Sequence, residues 1–213
     1  MKLIVFGATG DVGSRVVTEA LARGHHVTAA VRNEAALAKL TEGVRPVIAD
    51  ATDPAALAAA MESQDMAISA LRSPPGREGE IVALTRSILN AASRTGLRVI
   101  IVGGAARLHL PNGSPHTVLS DPDFLPENIV PIARASMAQW ELCASETSAN
   151  WTYASPSALL QPGPRLGSFR IGTDTLLVDD AGKSEISMED FAVALIDEAQ
   201  SAKFPRAAFT VGY

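Results

Sequence analysis

Three glycines at intervals of three residues, directly after an apolar segment, constrain this chain more than any other feature. The segment 3–6 is apolar throughout, as in a strand buried on both faces, and it leads into Gly7-Ala8-Thr9-Gly10-Asp11-Val12-Gly13. Apolar residues then recur at helical spacing. A strand, a glycine turn and a helix in this order are typical of a unit that binds a dinucleotide, whose diphosphate faces the helix N-terminus. The alternative at this point is a turn that is only structural.

The residue that ends the second predicted strand indicates which dinucleotide is preferred. That strand spans 26–31 and is followed by Arg32, at the place where NAD-binding proteins carry an acidic residue for the ribose 2′-hydroxyl. A guanidinium there suits a 2′-phosphate and can stack on adenine. We therefore expect NADP(H) to be preferred over NAD(H), although an ordinary exposed charge at a strand end would look the same.

The remaining strands and helices alternate along the chain, which predicts an α/β fold with a doubly wound parallel sheet of the Rossmann type. Residues 1–213 are expected to form one domain with a proline-marked lid at 105–133, a helix from about Ala133, and a small C-terminal substrate lobe at about 157–213. Within that lobe, the pattern predicts that a strand at 176–178 pairs with one at 185–186.

Ligands of such sheets collect at the carboxyl ends of the strands. Asp50 ends the third strand, where it would either accept a hydrogen bond from adenine or cap its own loop. Small residues at 70 and 103–105 are expected to leave room for the cofactor. The predicted cofactor-binding residues are Gly7, Thr9, Gly10, Asp11, Val12, Gly13, Arg32, Asp50, Ala51, Ala70, Leu71, Arg72, Gly103, Gly104 and Pro156.

Composition argues against several other classes of protein. The net charge of −5 and the aromatic content of 5% do not favour nucleic-acid binding, and no apolar segment is long enough to span a membrane. Cys143 is the single cysteine, and its helical setting suggests a packing residue rather than a nucleophile. We predict no metal site, a cytoplasmic location, and a small molecule as the partner.

The motifs together resemble a known family. The motifs that carry this resemblance are Gly7-Ala8-Thr9-Gly10-x-x-Gly13, Val31-Arg32, Gly103-Gly104, Trp151-Thr152-Tyr153-x-x-Pro156 and Ile186-Ser187-x-Glu189-Asp190-Phe191-Ala192. They are similar to those of atypical short-chain dehydrogenase/reductases, in particular the small NADH-flavin reductase-like proteins related to biliverdin-IXβ/flavin reductase and to nitrogen-metabolite-repressor sensors. The resemblance covers nearly the whole chain and implies a monomer or homodimer with NADP(H) bound across the strand ends.

One departure from the larger superfamily bears on the chemistry. Ordinary members use a Tyr-x-x-x-Lys pair as acid or base, whereas here no lysine occurs between Lys39 and Lys183. Flat acceptors such as FMN, FAD or quinones need little help from a protein acid, so the sequence predicts an NADPH-dependent flavin or quinone reductase. Arg107, His109 and His116 near the lid and Ser136 on the following helix are the candidates for contacting the acceptor, with His109 and Ser136 as candidate catalytic residues. The alternative is a redox sensor that binds NADP(H) without turnover.

Overall fold

The computed structural model describes residues 1–213 and arranges eight strands in one sheet, in the order β3-β2-β1-β4-β5-β6-β10-β8. All neighbours in it are parallel except β8, which pairs antiparallel with β10. The predicted Rossmann-type fold is confirmed. The strands are β1 (Lys2–Phe6), β2 (His26–Val31), β3 (Arg45–Ile48), β4 (Met66–Ser69), β5 (Val99–Val102), β6 (Trp151–Pro156), β7 (Leu159–Gln161), β8 (Arg170–Gly172), β9 (Glu185–Ser187) and β10 (Ala207–Gly212).

Helices cover both faces of the sheet, since alternate residues of the central strand point to opposite sides. Leu3 and Val5 of β1 belong to the apolar cluster beneath one helical layer, and Ile4 and Phe6 to the cluster beneath the other. The helices are α1 (Asp11–Ala22) and α5 (Met188–Ser201) on the first face, and α2 (Pro54–Met61), α3 (Glu80–Thr95) and α4 (Val130–Ser145) on the second. Cys143 is fully buried in the second cluster, where burial raises its thiol pKa to about 12. It is a packing residue.

Local signals fix several helix ends. Asp53 accepts hydrogen bonds from the backbone N–H groups of Ala55 and Ala56 and so caps α2, which then begins at Pro54. Gly96 ends α3 with φ +70°, a conformation that costs glycine least. Helix α4 begins at Val130 rather than at about Ala133, because a proline in the first helical turn needs no hydrogen-bond acceptor. Residues Glu34–Lys39 form a 3₁₀ helix with no buried side chain.

The residues after Pro156 contribute more to the main sheet than the sequence indicates. Strand β10 lies between β6 and β8, and α5 packs on α1. The predicted pairing of 176–178 with 185–186 is wrong, because residues 176–178 form no strand and β9 pairs in parallel with β7. Sequence periodicity detects a short strand but does not specify which distant strand will be its partner.

The proline-marked segment between β5 and α4, residues 105–129, packs against the C-terminal part of the protein. Leu108 and Val118 form a small buried apolar cluster with Leu176 from the C-terminal part. The backbone of His109 hydrogen-bonds Asp174 and Leu176, while its side chain is exposed. No helix of the protein is both long enough and apolar enough to cross a membrane.

Candidate functional site: a dinucleotide cleft

The glycine turn lies at the point where the strand order reverses, between β1 and β4. Two of its glycines are required by the fold itself. Gly7 has φ +77°, and a Cβ there would lie 2.4 Å from the carbonyl oxygen of Ala70; a Cβ on Gly13 would lie 2.0 Å from the Gly7 oxygen. These distances allow no side chain, because the helix and strand approach each other as backbones.

Gly10 differs from the other two glycines of the turn. Its φ of −83° suits any residue, and a Cβ would meet only the Gly7 oxygen, at 3.3 Å. Helix α1 begins after it without a side-chain cap, so its first N–H groups are free to face an anion. The space beside Gly10 and these donors fit the diphosphate of a dinucleotide.

A cleft of about 690 Å³ opens beside this turn at the carboxyl ends of β1 to β4. Of the predicted cofactor residues, those lining it are Gly7, Thr9, Gly10, Arg32, Asp50, Ala51, Ala70, Leu71 and Arg72. The cleft is also lined by residues that were not predicted from the sequence, chiefly Asn33, Ala36, Lys39, Thr52, Arg77 and Leu84. Asp11, Val12, Gly13, Gly103, Gly104 and Pro156 do not line it. This is the lining expected for the adenosine half of a dinucleotide site.

Cations are concentrated around this cleft, and they differ in their partners. Arg72 forms an ion pair with Asp11 at 3.2 Å, and Arg77 pairs with Glu80. Arg32 and Lys39 are exposed and form no ion pair within the chain. Lys39 is brought to the cleft by the 3₁₀ helix that follows β2. Side chains repeat about every three residues in a 3₁₀ helix and about every 3.6 in an α-helix, so the direction of the Lys39 side chain depends on the helix type.

Asp50 caps its own loop, which is one of the two roles predicted for it. Its Oδ1 accepts from the backbone N–H of Thr52 at 2.8 Å and from the Thr52 hydroxyl at 2.7 Å. These bonds hold the pKa of Asp50 below its usual value, with a further contribution from the positive charge of Arg32. The carboxylate stays ionised at neutral pH, and its second oxygen remains available to a ligand.

Side chains of the protein itself fill the space beside the turn after β5. A Cβ on Gly103 would lie 2.0 Å from the Cζ atom of Tyr153, and one on Gly104 would lie 2.6 Å from the Ser136 hydroxyl oxygen. Small residues are needed there because side chains of β6 and α4 already fill the space. Packing inside the protein is therefore by itself a sufficient reason for glycine at both positions.

The comparisons with known proteins agree with this geometry. A family model described as NAD(P)H-binding matches residues 7–201. Protein YwnB of Bacillus subtilis, itself uncharacterized, is 33% identical over 220 residues, which is 99% of this chain and 98% of that protein. The chain belongs to the NAD(P)H-binding family.

Solved structures of similar proteins confirm the fold of this NAD(P)H-binding protein over its full length. A Burkholderia pseudomallei protein, described as a "Putative exported protein", has 37% identity and a TM-score of 0.89, with 100% of both chains covered. A Streptococcus pneumoniae protein, described as "a putative NADH-flavin reductase", has 26% identity and a TM-score of 0.85, with 100% of this chain and 99% of that chain covered. The predicted family resemblance is confirmed, and the protein is of the oxidoreductase type.

Other candidate residues of this NAD(P)H-binding protein have structural partners. Arg107 is buried, donates to the Ser155 hydroxyl at 3.1 Å, pairs with Asp174 at 2.8 Å and lies 4.7 Å from the ring centre of Trp140. It holds the 105–129 segment in place, so the idea that it is free to meet an acceptor is wrong. The side chains of His109 and His116 are exposed on that segment.

Proposed function

We propose that this protein is an NADPH-preferring reductase that acts on a flavin- or quinone-like acceptor. The observation that carries the cofactor preference is the pair of cations without carboxylate partners, Arg32 and Lys39, beside the cleft at the end of β2. Two positive charges that form no ion pair favour a 2′-phosphate, and β2 lacks the acidic end that suits NAD(H). NADPH, when bound, supplies the hydride.

The acceptor class follows from the absence of a placed proton donor. The chain has no Tyr-x-x-x-Lys pair. Tyr153 lies on β6, where burial raises its phenol pKa to about 12, so it stays protonated and is a poor acid. Reduction of a simple ketone needs a donor for the developing alkoxide, whereas a flavin or quinone ring delocalises the charge and takes its proton from solvent.

Among the residues near the expected acceptor end, Ser136 is the best-placed hydrogen-bond donor. Its hydroxyl lies beside Gly104, and the residue as a whole is partly buried. We assign it the role of orienting the acceptor ring, and we assign His109 a place at the rim. Gly103, Gly104 and Pro156 form the backbone of this end of the site, while Asp11, Val12 and Gly13 contribute the helix N-terminus.

Steady-state oxidation of NADPH with FMN, FAD, riboflavin, quinones and small aldehydes and ketones tests the acceptor class. We expect turnover with the flat rings and poor turnover with the carbonyl compounds. Rapid reduction of a small carbonyl compound, with flavins and quinones inert, would overturn the proposal and point to an acid elsewhere in the protein. A cytoplasmic location and a monomeric or dimeric state remain part of this proposal.

A redox sensor that binds NADP(H) without turnover is the second candidate. It is favoured by the same lack of a catalytic acid and by a preformed cleft that accounts for only the adenosine half of the cofactor. The same assay separates the two functions, because a sensor binds NADPH in a titration but oxidises it with none of the acceptors.

A further inference from the structure

A chain of buried polar side chains lies behind the turn at Gly103–Gly104. Thr85 of α3, Gln139 of α4 and Tyr153 of β6 are 1%, 3% and 0% exposed. The Gln139 amide donates to the Thr85 hydroxyl at 2.9 Å, and the Tyr153 hydroxyl donates toward the Gln139 side-chain oxygen at 3.2 Å or the Ser136 carbonyl oxygen at 3.1 Å. Such groups are costly to bury, and they fix a geometry only when fully hydrogen-bonded.

The exposed end of this chain of hydrogen bonds reaches the acceptor side of the site. The backbone N–H of Gly104 donates to the Tyr153 hydroxyl at 3.4 Å. The Ser136 hydroxyl also lies 3.4 Å from the Tyr153 hydroxyl. When the Ser136 hydroxyl donates to it, the phenol uses its single proton and both of its lone pairs. Its ring tip also occupies the space where a Gly103 side chain would stand.

We propose that Tyr153 is a positioning residue, which holds the Gly103–Gly104 turn and the Ser136 hydroxyl in the arrangement that receives the acceptor. This inference rests on the proposed function for its acceptor. Tyr153 itself contacts neither cofactor nor acceptor, because it is fully buried, and it transfers no proton. Its hydroxyl acts by giving one fixed point to the β5 turn, to α4 and, through Gln139, to α3.

The isosteric change Tyr153→Phe tests this role, because it keeps the ring against Gly103 and removes only the hydroxyl. We expect the acceptor KM to rise about threefold to tenfold, as for the loss of one or two hydrogen bonds, with kcat within about twofold of the wild-type value and NADPH affinity unchanged. Tyr213→Phe is the matched control. Tyr213 bonds Asp190 at 2.8 Å and Ser187 at 2.9 Å, away from the turn, and should leave the acceptor KM as it is.

Amide hydrogen exchange of Gly104, followed by NMR in the full-length protein, provides a readout that needs no turnover. The exchange rate should rise about threefold or more in Tyr153→Phe and stay constant in Tyr213→Phe, because only the first change removes the acceptor of that N–H. If Tyr153→Phe folds poorly, Gln139→Met removes the neighbouring oxygen and should give a smaller effect of the same kind.

A double-mutant cycle with Ser136→Ala shows whether Tyr153 acts through the serine hydroxyl. The effects on acceptor KM should then be less than additive. An unchanged acceptor KM, or unchanged Gly104 exchange, in a folded Tyr153→Phe protein would overturn the inference. If the wild-type protein reduces no acceptor, the proposed function fails, and the exchange measurement alone still decides whether Tyr153 holds the turn.

Discussion

At the scale of single residues, glycines and arginines that look alike in the sequence have different roles around the cleft. Gly7 and Gly13 are demanded by backbone contacts, whereas the Cβ side of Gly10 is nearly open. Arg72 and Arg77 have carboxylate partners, whereas Arg32 has none. Residues that the fold does not itself require or neutralise are the ones through which ligand binding can be tested with least disturbance to folding.

Replacing Arg32 with alanine should remove the preference for NADPH. The loss of a charged hydrogen bond to the 2′-phosphate is expected to cost about 1.5–3 kcal/mol of NADPH binding, with NADH binding nearly unchanged. Calorimetric titration of both cofactors measures this. Arg94→Ala is the control, because Arg94 is an exposed arginine in the last turn of α3 and does not line the cleft. Equal affinities for the two cofactors in the wild-type protein would contradict the assignment.

Enlarging Gly10 to valine should abolish dinucleotide binding in a protein that still folds. The side chain would stand where the diphosphate approaches the backbone, while the fold loses about 1 kcal/mol because valine is a poor residue at a helix N-terminus. Gly13→Ala should show the opposite pattern, with a large loss of stability from the 2.0 Å approach to Gly7. NADPH titration and thermal melting of both variants distinguish these outcomes; unaltered NADPH affinity in Gly10→Val would make the turn purely structural.

At the scale of elements, α1 connects the cleft to the C-terminal part of the protein. Its Glu19 is buried, accepts two bonds from the Arg165 guanidinium at 2.7 and 2.8 Å, and also bonds Arg23. Arg165 lies in the loop between β7 and β8, so this contact fastens that loop to the helix whose N-terminus faces the cleft. The Arg165 bonds lower the pKa of Glu19 from 4.5 to about 2, against the opposing effect of burial.

Stability should therefore depend on Glu19 in acid. Because its folded-state pKa is lowered, its contribution is fully present above pH 4.5 and is lost as the pH falls toward 2. Since Arg165 is half-exposed, we expect Glu19→Gln to cost about 1–3 kcal/mol of unfolding free energy at pH 7 and much less at pH 2.5. Urea unfolding at both pH values measures the difference, and a cost that does not shrink in acid would show that charge is not responsible.

The 105–129 segment is an element with its own small core, which bears on how it can be altered. Leu108→Ala should lower the unfolding free energy by about 2–5 kcal/mol, because Leu108 is fully buried against Val118 and Leu176. His109→Ala, next to it and exposed, should change stability by less than about 0.5 kcal/mol. Denaturant unfolding compares them; similar stabilities would mean that the segment is only loosely attached.

At the scale of the whole molecule, the two halves of the proposed dinucleotide site are built differently. The first half is an open cleft at the ends of β1 to β4, and the second is a turn against which the side chains of Tyr153 and Ser136 are packed. The adenosine end should therefore supply most of the binding free energy in the free protein.

Adenosine 2′,5′-bisphosphate alone should compete with NADPH and raise the melting temperature, whereas nicotinamide mononucleotide should do neither at the same concentration. At a hundredfold excess over its dissociation constant, a ligand stabilises the folded state by about 2.7 kcal/mol. Differential scanning fluorimetry with each half-cofactor is the measurement. Stabilisation by the nicotinamide half alone would place the main binding energy at the other end of the site.

The sequence by itself determined the features that depend on neighbours in the chain. These are the strand, glycine turn and helix at the N-terminus, the cap at Asp53, the end of α3 at Gly96 and the alternation that gives the Rossmann-type sheet. Each is set by backbone conformation or by periodicity within a few residues, so it can be read without knowing the rest of the molecule.

Only the tertiary structure decided which distant residues meet. It buried Arg107 between Ser155 and Asp174 and placed Tyr153 against Gly103. It also paired β9 with β7 and inserted β10 into the main sheet. Partners more than about 20 residues apart leave no periodic signal in one sequence, because their contact depends on how strands are ordered and helices packed rather than on local conformation.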